Sequence, residues 1–338
     1  MTENKIITDT DQLTPEWLTR ILKNKGYFNQ GEVTKIIKKT SQETLSSNVH
    51  FLELNFSTDA QPEPAFSEIV LKIPKPNDVC RFAGKHEAKF YRIVAEIMGE
   101  VPIPICYDAA FSEETGLSHI ILENLSKTHV APNFDYPPSK RNCERAIDCL
   151  AELHAFWWDH PSLKELSKNS YVLYTFKENS FNKEEVFKWF NNQKMILKRF
   201  LEFLGEGIGN KRKELFKTIF SLYPQVAYER IAKKNITVIH ADAHIWNFFY
   251  PKDIVDQKYK TILPDWQSWG IGVGGQDLAF MIGLFFFPDY RHLIEKDLIK
   301  RYHNKLLKLG VKNYSWDECW YDYKLFAILN IYRIIWWW

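Results

Sequence analysis

The sequence has no C-x-x-C pair. Its five cysteines, Cys80, Cys106, Cys143, Cys149 and Cys319, are odd in number and scattered, which excludes a thiolate zinc site and a disulfide framework. They read as reduced packing residues. The apolar run A-F-M-I-G-L-F-F-F from Ala279 to Phe287 is, like every other in the chain, too short to span a bilayer, which needs about 20 residues. The opening M-T-E-N-K-I-I-T-D-T has no apolar core of the kind a secretory signal carries, so a soluble, cytoplasmic protein is expected. There is no long basic run, and 44 basic against 42 acidic side chains give a formal +2. That balance argues against a nucleic-acid or anionic-membrane partner. Internal repeats and low-complexity segments are absent as well, and oligomeric state is left open.

What is there is length and apolar mass. The chain has 338 residues, 45% hydrophobic and 15% aromatic, with twelve tryptophans, enough for two domains or one bilobal enzyme. Residues 1 to 30 read as a helical lead-in, with Thr14 as N-cap and Pro15 in the first turn before W-L-T-R-I-L-K. Three β-branched or alternating segments follow, E-V-T-K-I-I-K-K, N-V-H-F-L-E-L-N-F and S-E-I-V-L-K-I. A helical period comes next in K-H-E-A-K-F-Y-R-I-V-A-E-I-M, then two more strand candidates, P-I-C-Y-D-A-A and S-H-I-I-L-E-N. Residues 30 to 122 are thus expected to form an antiparallel five-stranded sheet with one helix. Beyond about Leu125 a 3.6-residue period dominates, as in R-A-I-D-C-L-A-E-L-H-A-F-W-W. Within that helical half, I-T-V-I and N-F-F-Y flank a polar cluster, and a turn over residues 251–257 leads to the strand-like K-Y-K-T-I-L-P, which is expected to return beside the first strand ahead of Asp265.

That cluster, V-I-H-A-D-A-H-I-W-N from Val238 to Asn247, admits two chemistries. His240, Asp242 and His244 have the ligand types of a metal-dependent hydrolase that activates water. Alternatively, Asp242 and Asn247 suit phosphoryl transfer, which needs phosphates held, charge neutralised and an acceptor hydroxyl oriented. In that reading Asp242 orients the hydroxyl, Asn247 and Asp265 offer oxygens to magnesium, and Lys72 near the end of the third strand reaches the phosphates. Glu87 in the following helix holds its ammonium. Lys75 competes with Lys72, but Lys72 sits within the strand.

At these residues the sequence resembles the aminoglycoside phosphotransferase and choline kinase-like superfamily, and within it most closely the ecdysteroid kinase-like branch. H-A-D-A-H-I-W-N resembles the motif H-G-D-x-H-x-x-N, D-W-Q at 265 to 267 resembles D-W-E or D-F-Q, and D-L-A at 277 to 279 the D-L-A that follows. L-A-E-L-H-A-F-W-W is similar to the helix ahead of the catalytic loop. The resemblance covers roughly residues 30 to 300. It implies an α+β, protein-kinase-like bilobal fold: an N-terminal lobe over residues 1–125, with five strands and one helix, and a larger, mainly helical C-terminal lobe over 126–338, the active site lying between them. It implies ATP and Mg²⁺ as cofactors and a small-molecule acceptor, with His240 and Asp277 supporting the catalytic loop. I-I-L-E-N-L resembles the adenine-binding hinge, so Glu123, Asn124 and Leu125 are expected to present backbone groups to the base.

Two positions depart from the pattern. Ala241 replaces a glycine, so positive φ is not expected there. The nucleotide-covering loop K-T-S-Q-E-T-L-S-S-N, Lys39 to Asn48, has no glycine, leaving the hydroxyls and amides of Ser46 and Ser47 to hold phosphate. The run Gly270 to Gly275, G-I-G-V-G-G, formally matches a dinucleotide fingerprint, but D-W-Q-S-W precedes it instead of a buried parallel strand. It reads as a turn that lets Asp277 approach the loop. The expected function is an ATP-dependent kinase of a metabolite hydroxyl. Trp157, Trp158, Trp189, Trp266 and Trp269 near candidate pocket segments suggest a bulky apolar alcohol. The metal-dependent hydrolase and a catalytically silent kinase-like binding protein are the alternatives.

Overall fold

The computed structural model describes residues 5–61, 66–133, 138–167, 183–231, 233–253 and 259–338. The chain divides into two compact units: Met1–Val130 with Pro251–Ser268, and Ala131–Tyr250 with Trp269–Trp338.

Unit 1 is built on a sheet of five antiparallel strands, β1 (Val33–Glu43), β2 (Ser47–Phe56), β3 (Glu68–Pro74), β4 (Cys106–Phe111) and β5 (Ser118–Glu123), in the order β1-β2-β3-β5-β4. This is the sheet the alternating segments predict. Alternation decides which side each residue takes. Ile69, Leu71 and Ile73 of β3 join Leu52, Leu54 and Ile121 in a core closed by Trp17, Leu18 and Leu22 of α1 (Pro15–Asn24). Lys72 therefore falls on the opposite face. There it meets α2 (Asp78–Lys89), which is capped by the Asn77 side chain accepting from the Cys80 N–H at 2.9 Å. α1 begins as its sequence predicts, with Thr14 accepting from the Trp17 N–H. Past Lys89, α2 widens into a π-type turn over Phe90–Val94.

A glycine sets how closely α2 approaches the sheet. A Cβ on Gly84 would lie 2.0 Å from Pro74 Cγ, so only glycine fits at this contact, one turn before Glu87. The short strand β6 (His129–Val130) ends the first stretch of the unit.

Unit 2 is mainly helical: α3 (Lys140–Trp157), α4 (Leu163–Leu166), α5 (Lys183–Leu204), α6 (Asn210–Ile231), α7 (Gly275–Leu278), α8 (Pro288–Lys308) and α9 (Trp316–Trp337). α3 buries Cys143, Ile147, Leu150, His154 and Trp157, one stripe at helical spacing. The short strand β7 (Thr237–Ile239) is wholly buried and pairs antiparallel with β9 (Gly270–Gly272), while β8 covers Tyr250–Pro251. The partner of β7 corrects an expectation: the strand beside it follows Asp265 and does not precede it. Residues 259–264 bond elsewhere, with the Leu263 N–H donating to Pro102 O at 2.9 Å. Part of the turn expected over 251–257 lies outside the described residues. Among the described residues no helix is long and apolar enough to cross a membrane. All five cysteines are free thiols, and Cys80, Cys143, Cys149 and Cys319 are buried.

Candidate active site

Unit 1 gathers three residues that are far apart in sequence. Lys72 Nζ lies 2.6 Å from Glu87 Oε2 and 2.7 Å from Asp265 Oδ1. Each reaches this point for a separate reason: Lys72 by strand alternation, Glu87 by the close packing of α2, and Asp265 because its neighbours are clamped. Trp266 stacks on Phe90 with ring centres 3.9 Å apart and planes within 3°. Its indole N–H donates to Leu263 O, and the His86 Nδ1–H donates to Gln267 O at 2.9 Å. Between these anchors Asp265 takes a left-handed backbone, φ 65°, a conformation that aspartate tolerates better than most residues.

The electrostatics of the triad follow from burial. Burial by itself would lower the Lys72 pKa, but Asp265 and Glu87 outweigh it and hold the ammonium above its ordinary value. The Glu87 side chain is 1% exposed. Burial pushes its carboxyl up to about 7, against the pull of Lys72, and the negative charge of Asp265 adds to the rise. Glu87 is therefore no exposed helix residue, and the cation is clasped by two carboxylates with unequal access to water.

Unit 2 carries the loop from His240 to Asn247. Apolar anchors hold it, Ala243, Ile245 and Phe248 all being fully buried. Its polar frame centres on Asp277, also fully buried, whose two oxygens accept the backbone N–H groups of His240 and Ala241, each at 2.8 Å. The His154 Nε2–H donates to Asp277 Oδ2 at 3.2 Å, and His154 Nδ1 lies 2.8 Å from the Tyr302 hydroxyl. Burial would raise the Asp277 pKa, yet these bonds and the nearby histidines outweigh it and keep the carboxyl below its usual value. A Cβ on Gly274 would sit 2.1 Å from the Tyr302 hydroxyl and 2.8 Å from His154 Nδ1. That explains a glycine beside the network more directly than a bare turn does.

Further along the loop, His240 Nδ1 accepts the Asp242 N–H at 3.3 Å. The Asp242 carbonyl accepts from the His244 N–H and from Asn247 Nδ2, both at 2.8 Å. Because Asn247 spends its amide N–H₂ on Asp242, the orientation of its amide oxygen is set.

Several expectations need correcting. Ala241 has φ 62°, so the left-handed conformation survives the loss of glycine. The strain, about 1–2 kcal/mol, is opposed by the Asp277 bond to its N–H. The glycine-free stretch is mostly strand: β1 continues to Glu43, leaving a tight turn at Thr44, Leu45 and Ser46. There the Ser47 N–H donates to Thr44 Oγ1 at 3.0 Å and Ser47 is 2% exposed, which leaves Ser46 as the partly exposed serine of the pair. In the hinge segment the Glu123 N–H is already committed to Ile105 O at 3.0 Å, and the Asn124 side chain accepts from the Ser126 N–H and donates to Glu68. Leu125 is buried. Trp157, Trp266 and Trp269 are at most 1% exposed and belong to the core. The residues that sequence reasoning left without a role are His154 and Tyr302. A histidine on the apolar face of α3 was the available signal for the first.

Among the described residues, no group of three His, Cys, Asp or Glu side chains is arranged to hold a metal, and His240 is bound into the loop. The geometry of a hydrolase centre at His240, Asp242 and His244 is therefore missing.

A family model described as the ecdysteroid kinase-like family matches residues 86–312. Among solved structures, a choline kinase from Cryptosporidium parvum Iowa II is similar with a TM-score of 0.54 at 13% identity, covering 89% of this chain and 82% of that one. The GDP complex of an aminoglycoside 2'-phosphotransferase-IIIa mutant gives 0.49 at 11% identity, with 95% and 91% covered. A streptomycin–ATP–APH(2'')-IIa ternary complex gives 0.45 at 14%, with 96% and 97% covered. None of the curated proteins matches the sequence. The choline kinase likeness shows a kinase-like α+β fold, and the family match spans more than half the chain. The chain belongs to the ecdysteroid kinase-like family.

Proposed function

We propose that the protein is an ATP-dependent kinase that transfers a phosphoryl group to a hydroxyl of a small molecule. The observation that carries this reading is the Lys72–Glu87–Asp265 cluster, in which a buried ammonium is fixed within 2.7 Å of two carboxylates. A lysine so held has its charge guaranteed at neutral pH and its reach limited, as a phosphate-binding cation requires. In the hydrolase reading these three residues have no task.

In this proposal unit 1 supplies Lys72 for the nucleotide phosphates, Glu87 to position it, and the Asp265 carboxylate for magnesium. The segment Glu123 to Leu125 faces the base through backbone groups other than the committed Glu123 N–H. Ser46 is the serine of the β1–β2 turn left to meet phosphate. Asn247 offers its amide oxygen as a further ligand, and Asp242 is the group that orients the acceptor hydroxyl. An acid and an amide oxygen are the hard donors that Mg²⁺ selects, so the residues present fit the ion. Bound magnesium would neutralise charge on the phosphates. His240 and Asp277 act through the loop: Asp277 fixes the Asp242 backbone from two residues away, and His240 Nδ1 holds its N–H. A catalytically silent, nucleotide-binding protein is the second reading, favoured by the tight glycine-free β1–β2 turn.

A screen of metabolite alcohols for acceptor-dependent ADP release, run with the wild type and with Asp242→Asn, tests the proposal. ADP release that depends on an acceptor and is lost in the variant supports a kinase. Thermal stabilisation by Mg-ATP with no turnover on any acceptor supports the silent reading.

A further inference from the structure

The near-neutral composition conceals a basic segment. Residues 188–217, from α5 into α6, hold eight lysines and arginines against three glutamates, a net +5 in a chain whose total is +2. Between the two helices runs a groove of about 610 Å³, within the range of small-molecule sites. Lys194 and Lys198 stand along it from α5, Lys213 and Lys217 from α6. Its floor is apolar, made of Leu197, Leu201 and Phe220. Glu202 is the one carboxylate lining it among the described residues.

We propose that this groove binds a single-chain amphipathic anion of the fatty-acid class, the chain lying on the apolar floor and the carboxylate among the lysines. Charge complementarity selects the head group. Lys217 pairs with Glu214 at 2.7 Å and Lys213 approaches Glu206 only at 3.9 Å, while Lys194 and Lys198 form no ion pair among the described residues. Two cations are thus uncompensated beside apolar surface. The depth of the floor selects a free chain over a membrane. Leu197 is 5% and Phe220 2% exposed, so they close the bottom of a groove walled by the two helices, a shape that takes a slender chain and not a flat lipid surface. The floor is also rigid, since Phe220 stacks on Tyr332 with ring centres 4.0 Å apart. From Lys194 to Gly205 the helix side of the groove is about 16 Å long, room for an extended acyl chain of medium length. None of the residues named in the proposed kinase site lines the groove.

The test uses the full chain, with dodecanoate below its micelle concentration as probe and calorimetry as readout. 1-Dodecanol and acetate separate tail from charge, and phosphatidylcholine vesicles with and without phosphatidylserine test for a membrane surface. Dodecanoate is expected to bind at one site, at least tenfold more tightly than dodecanol, with acetate silent. Lys194→Gln combined with Lys198→Gln, both exposed positions, weakens binding tenfold or more without altering the melting temperature. Leu201→Asp, at the partly exposed edge of the floor, abolishes it. Absence of dodecanoate binding, equal affinity for dodecanol, or undiminished binding by the double lysine variant overturns the proposal. Sedimentation with phosphatidylserine vesicles in the absence of dodecanoate binding overturns it in favour of a membrane-docking face.

Discussion

Replacing Lys72 with methionine keeps an unbranched stem in the β3 position and removes one charge from a buried triad. In the wild type the Glu87 carboxyl is pushed up to about 7 by burial, with Lys72 as the main opposing influence. Without Lys72 the folded-state pKa climbs above 7, because burial and Asp265 are then opposed only by the backbone hydrogen bond at Trp266. The unfolded value stays near about 4.3. Between those two values the folded chain holds a proton that the unfolded chain has lost, so stability falls as pH rises, by at most about 1.4 kcal/mol per pH unit for one proton. In the wild type this decline ends near the Glu87 pKa. The stabilising contribution of Lys72, whose pKa is raised, stays fully present up to the ordinary lysine pKa, so it adds no slope near neutrality. In Lys72→Met the decline continues beyond pH 7. Urea midpoints measured from pH 6 to 8.5 should therefore diverge from the wild type by about 1–2 kcal/mol across the alkaline half. Adding Glu87→Gln should flatten the variant's curve. The Asp265 side chain is 32% exposed and keeps an access to water that Glu87, at 1%, lacks. Curves for Lys72→Met and wild type that run parallel above pH 7, or a slope that persists in the double variant, would refute the reasoning.

Other outcomes follow from single contacts. Asp277→Asn swaps one acceptor oxygen for an amide nitrogen that faces backbone N–H donors, so it should cost about 3 kcal/mol in urea unfolding. Since the Asp277 pKa is depressed, its stabilisation is present above the unfolded value and lost as pH falls through the folded one; the variant should lack that acid-side decline below about pH 4. Ala241→Gly relieves φ 62° but adds freedom to the unfolded chain, and a net gain of about 0–1 kcal/mol in thermal unfolding is expected. A loss there would mean the alanine is not strained. Gly84→Ala gains about 1 kcal/mol of helix propensity but forces a Cβ to within 2.0 Å of Pro74; it should be destabilising overall and should weaken Mg-ATP binding as Glu87 shifts, read by thermal shift with and without nucleotide.

The sequence made the strands and α2 legible because a half-buried sheet and an amphipathic helix each impose a period, and Lys72 and Glu87 fell on readable positions of those periods. Asp265 was legible from D-W-Q, but not the manner of its placement: the stack of Trp266 on Phe90 joins residues 176 positions apart in a contact with no local pattern. The antiparallel partner of β7 was misplaced because K-Y-K-T-I-L-P has strand composition, while the glycines of β9 are weak strand formers, tolerated where neighbours crowd the backbone. Ala241 shows the limit of residue-by-residue reasoning, since its backbone is decided by Asp277, thirty-six residues on. Trp157, Trp266 and Trp269 misled for a similar reason: aromatic content does not tell core from pocket.

The central claim, that Asp242 orients an acceptor while Asp265 holds the metal, is tested most directly by comparing Asp242→Asn with Asp265→Asn in Mg-ATP titration and steady-state turnover. Asp242→Asn is expected to bind Mg-ATP as the wild type does but to turn over about 10²–10⁴-fold more slowly. Asp265→Asn should lose both affinity and turnover, with partial rescue at high magnesium. Loss of metal binding in Asp242→Asn together with full activity in Asp265→Asn would contradict it.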